Sequence, residues 1–499
     1  MIIKTLENFT KDKILILVLK QGSDIKKHPF FNFLNAYDQK YVLNFIKQNN
    51  INPGKEYLLL LPSLRQIILF GEVNENKFNH RKAIYLSRRI VVKSKNFKKY
   101  NLIVCFNDFK AENNNVLNEE LAQILAMQFE LANFEFLDYK TNKENNFVSE
   151  IQVWISKDLN QKNINAALNF GKILGEEINK ARILANTPGG DMTPKKLAEF
   201  AKKAATGLKI KTKILDEKQI EKIGMGGILG VAKGSSEKPR FIIMEYFEGQ
   251  KSEKPIILIG KGVTFDTGGL NLKPTEGIYE MHMDMTGGAA VIHILAALAK
   301  LKISKNIVGL IPAVENMPSG SSYHPGDLLK TLSGKTIEVL NTDAEGRIIL
   351  ADALTYAQKF YNPEIIIDLA TLTGAAMIAL GQRASAVFGN NDELIYKLQK
   401  AGEETGDFIW QLPLWEEYEA DILGTFGDVA NTGKTRYGGA INGAMFLYQF
   451  IKKEKDEIPW IHLDIAPRMT SIEGDFLARG SAGPGVALIV WFINKFLKK

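Results

Sequence analysis

From Met1 to about Lys157 the chain alternates short apolar runs of β character with polar stretches of helical spacing. The runs Lys13 to Leu19, Tyr57 to Leu61, Ile67 to Phe70 and Leu102 to Phe106 predict strands of a small α/β domain. Asn160 to Asn186 has apolar Ile164, Leu168, Ile173, Leu174 and Ile178 at helical spacing and no internal proline, which predicts a long connecting helix. Beyond Pro188 the runs become stronger and alternate with long helical stretches. Strands are predicted at Pro255 to Gly260, Ile307 to Val314, Thr336 to Leu340, Glu364 to Leu369 and Trp460 to Ile465. Such alternation implies a mixed, mainly parallel central sheet covered by helices. The expected organisation is thus α/β throughout, with a small N-terminal domain at 1–160 and a larger one at 161–499.

Composition narrows the class. Apolar residues make up 45% of the 499 positions and charged residues 24%, so the chain can build buried cores and is not of disordered type. The single cysteine, Cys105, excludes an intrachain disulfide and a cysteine-rich zinc site, and its apolar surroundings predict a buried strand position. No signal-peptide pattern is visible in Met1 to Gly22, and the apolar run Val486 to Ile493 is far short of the roughly 20 residues that span a bilayer. A cytoplasmic protein without a membrane segment is expected. Charge is uneven: residues 1–100 carry 19 Lys and Arg against 7 Asp and Glu. The cluster Lys77, Arg81, Lys82, Arg88, Arg89, Lys93, Lys95, Lys98 and Lys99 is therefore a candidate nucleic-acid footprint, with a solvated lysine-rich surface as the favoured reading.

Ionisable residues gather beside glycines and strand ends in three segments: Gly260 to Leu270 with Lys273, Met283-Asp284-Met285, and Asn341-Thr-Asp-Ala-Glu-Gly-Arg347. If Asn341 to Arg347 continues extended from its strand, Asp343 and Glu345 point to one side. Carboxylates buried together must be protonated or share cations, and metal ions meet that need. Asp284 is also placed to cap a helix at Thr286 to Ala299.

The segment 341–347 resembles the signature of the leucine aminopeptidase family, the cytosol aminopeptidases. Gly260 to Leu270, Lys273, Met283 to Met285, Asp368-Leu-Ala-Thr-Leu-Thr-Gly374 and His462-Leu-Asp-Ile-Ala466 resemble further blocks of that family in the same order. The resemblance runs from about residue 165 to the C-terminus. It implies two adjacent divalent metals, one held by Asp266, Asp343 and Glu345, the other by Lys261, Asp266, Asp284 and Glu345, with Lys261 as a neutral amine. Manganese or zinc is expected, with magnesium or cobalt as alternatives. The metals would activate water for attack on a peptide carbonyl, Lys273 would stabilise the oxyanion, and Arg347 would hold a bicarbonate that shuttles protons. Met281, Thr371, Leu372 and Gly374 would contact the substrate, a peptide with a free N-terminus. A homohexamer is implied too. His282 and His462 are read as neighbouring or core residues rather than ligands, and Asp368 as an organiser of the 370–374 loop. Pro188-Gly-Gly-Asp191 and Ala466-Pro-Arg-Met469 depart from the family pattern in a turn and at the pocket rim. Another dimetal hydrolase, such as a phosphoesterase, is the competing enzymatic reading.

Overall fold

The structure is a computed structural model that describes residues 1–497 apart from 7, 8, 11, 112–115, 144, 145 and 453–456. It is α/β and forms two compact units, 1–176 with 472–478, and 177–471 with 479–499. The division falls within one helix, Gln161–Asn186.

The smaller unit is built on a six-stranded sheet in the order Ile2–Thr5, Glu150–Trp154, Asn101–Cys105, Ile14–Lys20, Gln66–Glu72, Glu56–Leu60. All neighbours are parallel except the last pair. Strand Ile14–Lys20 shows why its sequence is apolar at consecutive positions. Ile14, Ile16 and Val18 enter one core while Leu15 and Leu17 enter another, so both faces of the sheet are covered. Cys105 is buried at the end of its strand.

The larger unit holds a nine-stranded sheet. Its order is Ile409–Gln411, Ser385–Gly389, Trp460–Asp464, Ile365–Ala370, Ile256–Gly260, Asn306–Asn316, Arg240–Phe247, Lys211–Leu215, with Gly262–Asp266 alongside Asn306–Asn316. The central strands run parallel, and antiparallel pairs lie toward both sides. Consequently Gly260, Asn316, Ala370 and Asp464 all end on one edge of the sheet, where ligands of open α/β sheets sit. Helix Thr286–Lys300 packs behind that edge and is almost wholly buried. The stretch Thr275–Lys300 has the length and apolarity to cross a bilayer, but 89% of an 18-residue window within it lies inside the fold, which identifies a core helix.

Two local expectations change. Strand Thr336–Glu338 stops before Leu340, and Asn341 to Ala344 form a turn rather than extended chain. Gly262 to Asp266, absent from the predicted strands, is a strand paired with Ala313 to Asn316.

Candidate active site

Lys261 occupies the single-residue break between strands Ile256–Gly260 and Gly262–Asp266, which turns its side chain into the fold at the sheet edge. Its Nζ donates to the Thr371 carbonyl at 3.0 Å and lies 2.8 Å from both Asp284 Oδ2 and Glu345 Oε1. Asp266 ends its strand. Asp266 Oδ1 accepts from the Gly268 amide at 2.9 Å and from Asn316 Nδ2 at 2.8 Å, while Oδ2 lies 2.9 Å from Lys273 Nζ. Lys273 also pairs with Asp343. It is brought back over Asp266 by a turn in which Gly268 and Gly269 adopt φ of 88° and 65°, values that only glycine takes without strain.

Asp343 and Glu345 converge by a route the sequence did not suggest. Asp343 lies in the turn, its amide held by Asn341 Oδ1 at 2.8 Å, whereas Glu345 is the first residue of helix Glu345–Tyr361. The positive end of that helix favours a carboxylate there. Thr342 ties this turn to the glycine loop: its Oγ1 donates to the Gly268 carbonyl at 2.6 Å, and its amide donates to Asn271 Oδ1 at 2.8 Å. Asn316 Nδ2 bridges Asp266 and the Thr342 carbonyl, and Tyr323 donates to the same carbonyl at 2.7 Å. Asn316, Thr342 and Tyr323 escaped the sequence reading. Only the position of Asn316 at a strand's carboxyl end could have singled it out.

Asp284 is buried immediately before helix Thr286–Lys300. The helix cap is Met285 and not Asp284, whose Oδ1 instead accepts from Thr371 Oγ1 at 2.7 Å. Met281 and His282 are half-buried in the preceding turn. Leu372 is half-buried, and Gly374 is exposed at the start of helix Gly374–Leu380.

The electrostatics are those of crowded carboxylates. Burial raises the carboxyls of Asp284, Glu345 and Asp343, and the neighbouring acids push further. Burial opposes the Lys261 and Lys273 ammonium groups, yet the acids around them outweigh it and keep both protonated. Arg347 is buried, and that burial lowers its guanidinium to about 10 against the pull of Glu345 and Asp464.

The residues fit divalent cations. The possible ligand oxygens of Asp266, Asp343 and Glu345 lie within 4.8 Å of one another. Asp284 Oδ2, Asp343 Oδ1 and Glu345 Oε1 are buried and face the ammonium groups of Lys261 and Lys273, so with Asp266 four carboxylates share two ammonium groups, an excess of negative charge that further cations would balance. Arg347 Nε is a buried donor with no hydrogen-bond partner among the described residues, which suits a small anion. Because the acids favour the Lys261 ammonium, a neutral amine there requires charge greater than one proton beside it.

A second grouping among the described residues, His28, Cys105 and Asp108, does not have this character. His28 Nδ1 accepts from the Phe30 amide, so the proton sits on Nε2 and is donated to Asp108 at 3.0 Å. Burial also pushes the Cys105 thiol up, which disfavours the thiolate a metal needs.

Three further expectations resolve. His462 is a fully buried core residue whose Nδ1 meets Asp368 Oδ1 at 2.5 Å. Asp368 also accepts from Trp460 Nε1 and does not reach the 370–374 loop; that loop is held by Asp464, which the sequence reading left without a role. The basic cluster of the smaller unit is not one free surface. Arg88 and Arg89 are buried, Arg88 Nε donating to Gln128 Oε1 at 2.6 Å and Arg89 Nη2 to the Gly71 carbonyl at 2.9 Å. Lys93 and Lys95 pair with Glu56 and Glu135.

Residues 179–490 match the catalytic domain of the cytosol aminopeptidase family. A probable cytosol aminopeptidase of Sulfurihydrogenibium sp. is 36% identical over 99% of this chain and 97% of its own length. Another, from Syntrophotalea carbinolica, is 44% identical over 74% of each chain. The fold superposes on the bottromycin maturation enzyme BotP, solved in complex with Mn, with a TM-score of 0.84 at 26% identity, covering 98% of this chain and 100% of that one. Fold and matches together define a peptidase of the hydrolase class. The chain belongs to the cytosol aminopeptidase family and is a metal-dependent aminopeptidase.

Proposed function

We propose that the protein is a two-metal exopeptidase that releases single residues from the free N-termini of peptides, leucine among them. The observation that carries this reading is the convergence of Lys261, Asp266, Asp284, Asp343 and Glu345 on one place at the sheet edge, where four carboxylates face only the two ammonium groups of Lys261 and Lys273. Asp266, Asp343 and Glu345 would hold one cation, and Lys261, Asp266, Asp284 and Glu345 the other. Such a pair, when bound, acidifies water and polarises a carbonyl. Manganese or zinc suits this oxygen-rich set with one amine, and magnesium or cobalt is compatible with it.

The chain's own residues supply the rest. Lys273, held over the site by Asp266 and Asp343, places a positive charge where a tetrahedral oxyanion develops. Arg347 presents an unpartnered Nε to a bicarbonate that would carry a proton between attacking water and leaving amine. Thr371, Leu372 and Gly374 offer backbone groups to the substrate, and Met281 borders the side-chain pocket. Residues 161–499 would form the catalytic domain and 1–160 a peripheral one, in a cytoplasmic homohexamer. With Arg88, Arg89, Lys93 and Lys95 committed internally, a nucleic-acid role is the weaker reading.

The test compares leucyl amide with its N-acetylated form. Cleavage of the free amine only, abolished by chelation, is the expected result; equal cleavage of both, or activity unaffected by chelation, would refute the reading.

A further inference from the structure

Asp464, which holds the 370–374 loop, is fully buried at the end of strand Trp460–Asp464. An uncompensated carboxylate there is costly, so its partners indicate its purpose. In register it pairs with Ala370, one residue before the loop that faces the metal ligands. Oδ1 accepts from the Leu372 amide at 3.0 Å and the Ala466 amide at 3.2 Å, and Oδ2 accepts from Thr373 Oγ1 at 2.6 Å. Thr373 in turn accepts from the Ala376 amide at 3.1 Å and caps helix Gly374–Leu380.

The preceding residue, Thr371, is fixed from the opposite side. Its carbonyl accepts from Lys261 Nζ, and its hydroxyl donates to Asp284 Oδ1. The loop is therefore held through Thr371 by two proposed metal ligands and through Leu372 and Thr373 by Asp464. Asp464 is also one of the two acids whose charge acts on buried Arg347.

We infer that Asp464 is a positioning residue for peptide hydrolysis: through Leu372 and Thr373 it sets the loop that receives the substrate beside Lys261 and Asp284. This inference rests on the aminopeptidase reading above. Partners at this remove from a metal site are typically worth about ten- to hundred-fold in activity or metal affinity.

The experiment is a double-mutant cycle of Asp464→Asn and Thr373→Val, read by kcat and KM on leucyl amide, bound metal per chain and melting temperature. Asp464→Asn should lower kcat/KM about ten- to hundred-fold, with the larger share in KM, while bound metal and melting temperature stay near wild type. The double variant should lose little more than the worse single one, because both changes cut the same link. Wild-type kcat/KM in Asp464→Asn, losses that multiply in the double variant, or loss of bound metal in Asp464→Asn would each overturn the positioning role. A wild-type protein that cleaves no leucyl amide would instead refute the reading on which the role rests.

Discussion

A methyl group added at Gly346 would lie 2.7 Å from both Cε and Nζ of Lys261, the far end of a flexible side chain. Moving that amine breaks its buried contacts to Asp284, Glu345 and the Thr371 carbonyl, so Gly346→Ala should lower the melting temperature. The displaced amine should also cost at least about ten-fold in kcat/KM, on the scale of a disturbed metal shell. Unchanged activity in steady-state assays would show that Lys261 is not needed where it stands. At this scale the chain announced its chemistry, because Asp343, Glu345 and Arg347 sit in one short segment whose residue types match a known signature. Asn316 was silent, and Asp464, although inside the quoted block 462–466, showed no role, since each acts through hydrogen bonds to segments 26 to 92 residues away. Spacing along a chain carries no trace of such partners.

Among the elements, helix Thr286–Lys300 is pressed against the strand ends that bear Lys261. A Cβ at Gly287 would fall on the Leu369 carbonyl oxygen and within 3.0 Å of the Lys261 amide. Both are backbone, so Gly287→Ala must move the helix, and with it Asp284. Thermal melts should show a destabilisation of roughly 1–3 kcal/mol, the usual cost of overpacking, accompanied by loss of activity. A variant as stable and active as wild type would contradict the tight packing described. The central strands were visible in the sequence because burial on both faces makes them continuous apolar runs. Strand Gly262–Asp266 was not: its glycine and polar residues lack a continuous apolar run, and only pairing with Ala313 to Asn316 makes it a strand. The turn after Glu338 was likewise hidden, since Asp343 and Glu345 would meet at one site by either path.

For the larger unit as a whole, resistance to acid should depend on Glu177. Burial would raise this carboxyl, but His293, Lys180 and Lys300, at 2.8, 2.7 and 2.6 Å, pull it down to about 2 from the ordinary 4.5. The folded state therefore binds fewer protons here than the unfolded one between those values. The contribution, at most about 3 kcal/mol because His293 pulls in full only while charged, is present above the ordinary value and is lost as pH falls toward 2. Burial also lowers the His293 imidazole, so its neutral form adds stability above its ordinary value of 6.5 that fades as pH falls. Glu177→Gln should flatten the decline in melting temperature between about pH 5 and 2; an unaltered slope would remove Glu177 from the account.

The central claim is that five side chains from three separate segments hold two cations for peptide hydrolysis. Its most direct test is elemental analysis after equilibrium dialysis against manganese or zinc, with leucyl amide hydrolysis measured on the same samples. Two ions per wild-type chain, with fewer than two and no hydrolysis in a folded Glu345→Ala, is the predicted result. One ion or none in an active wild type, or a Glu345→Ala variant that keeps both ions and full activity, would contradict it.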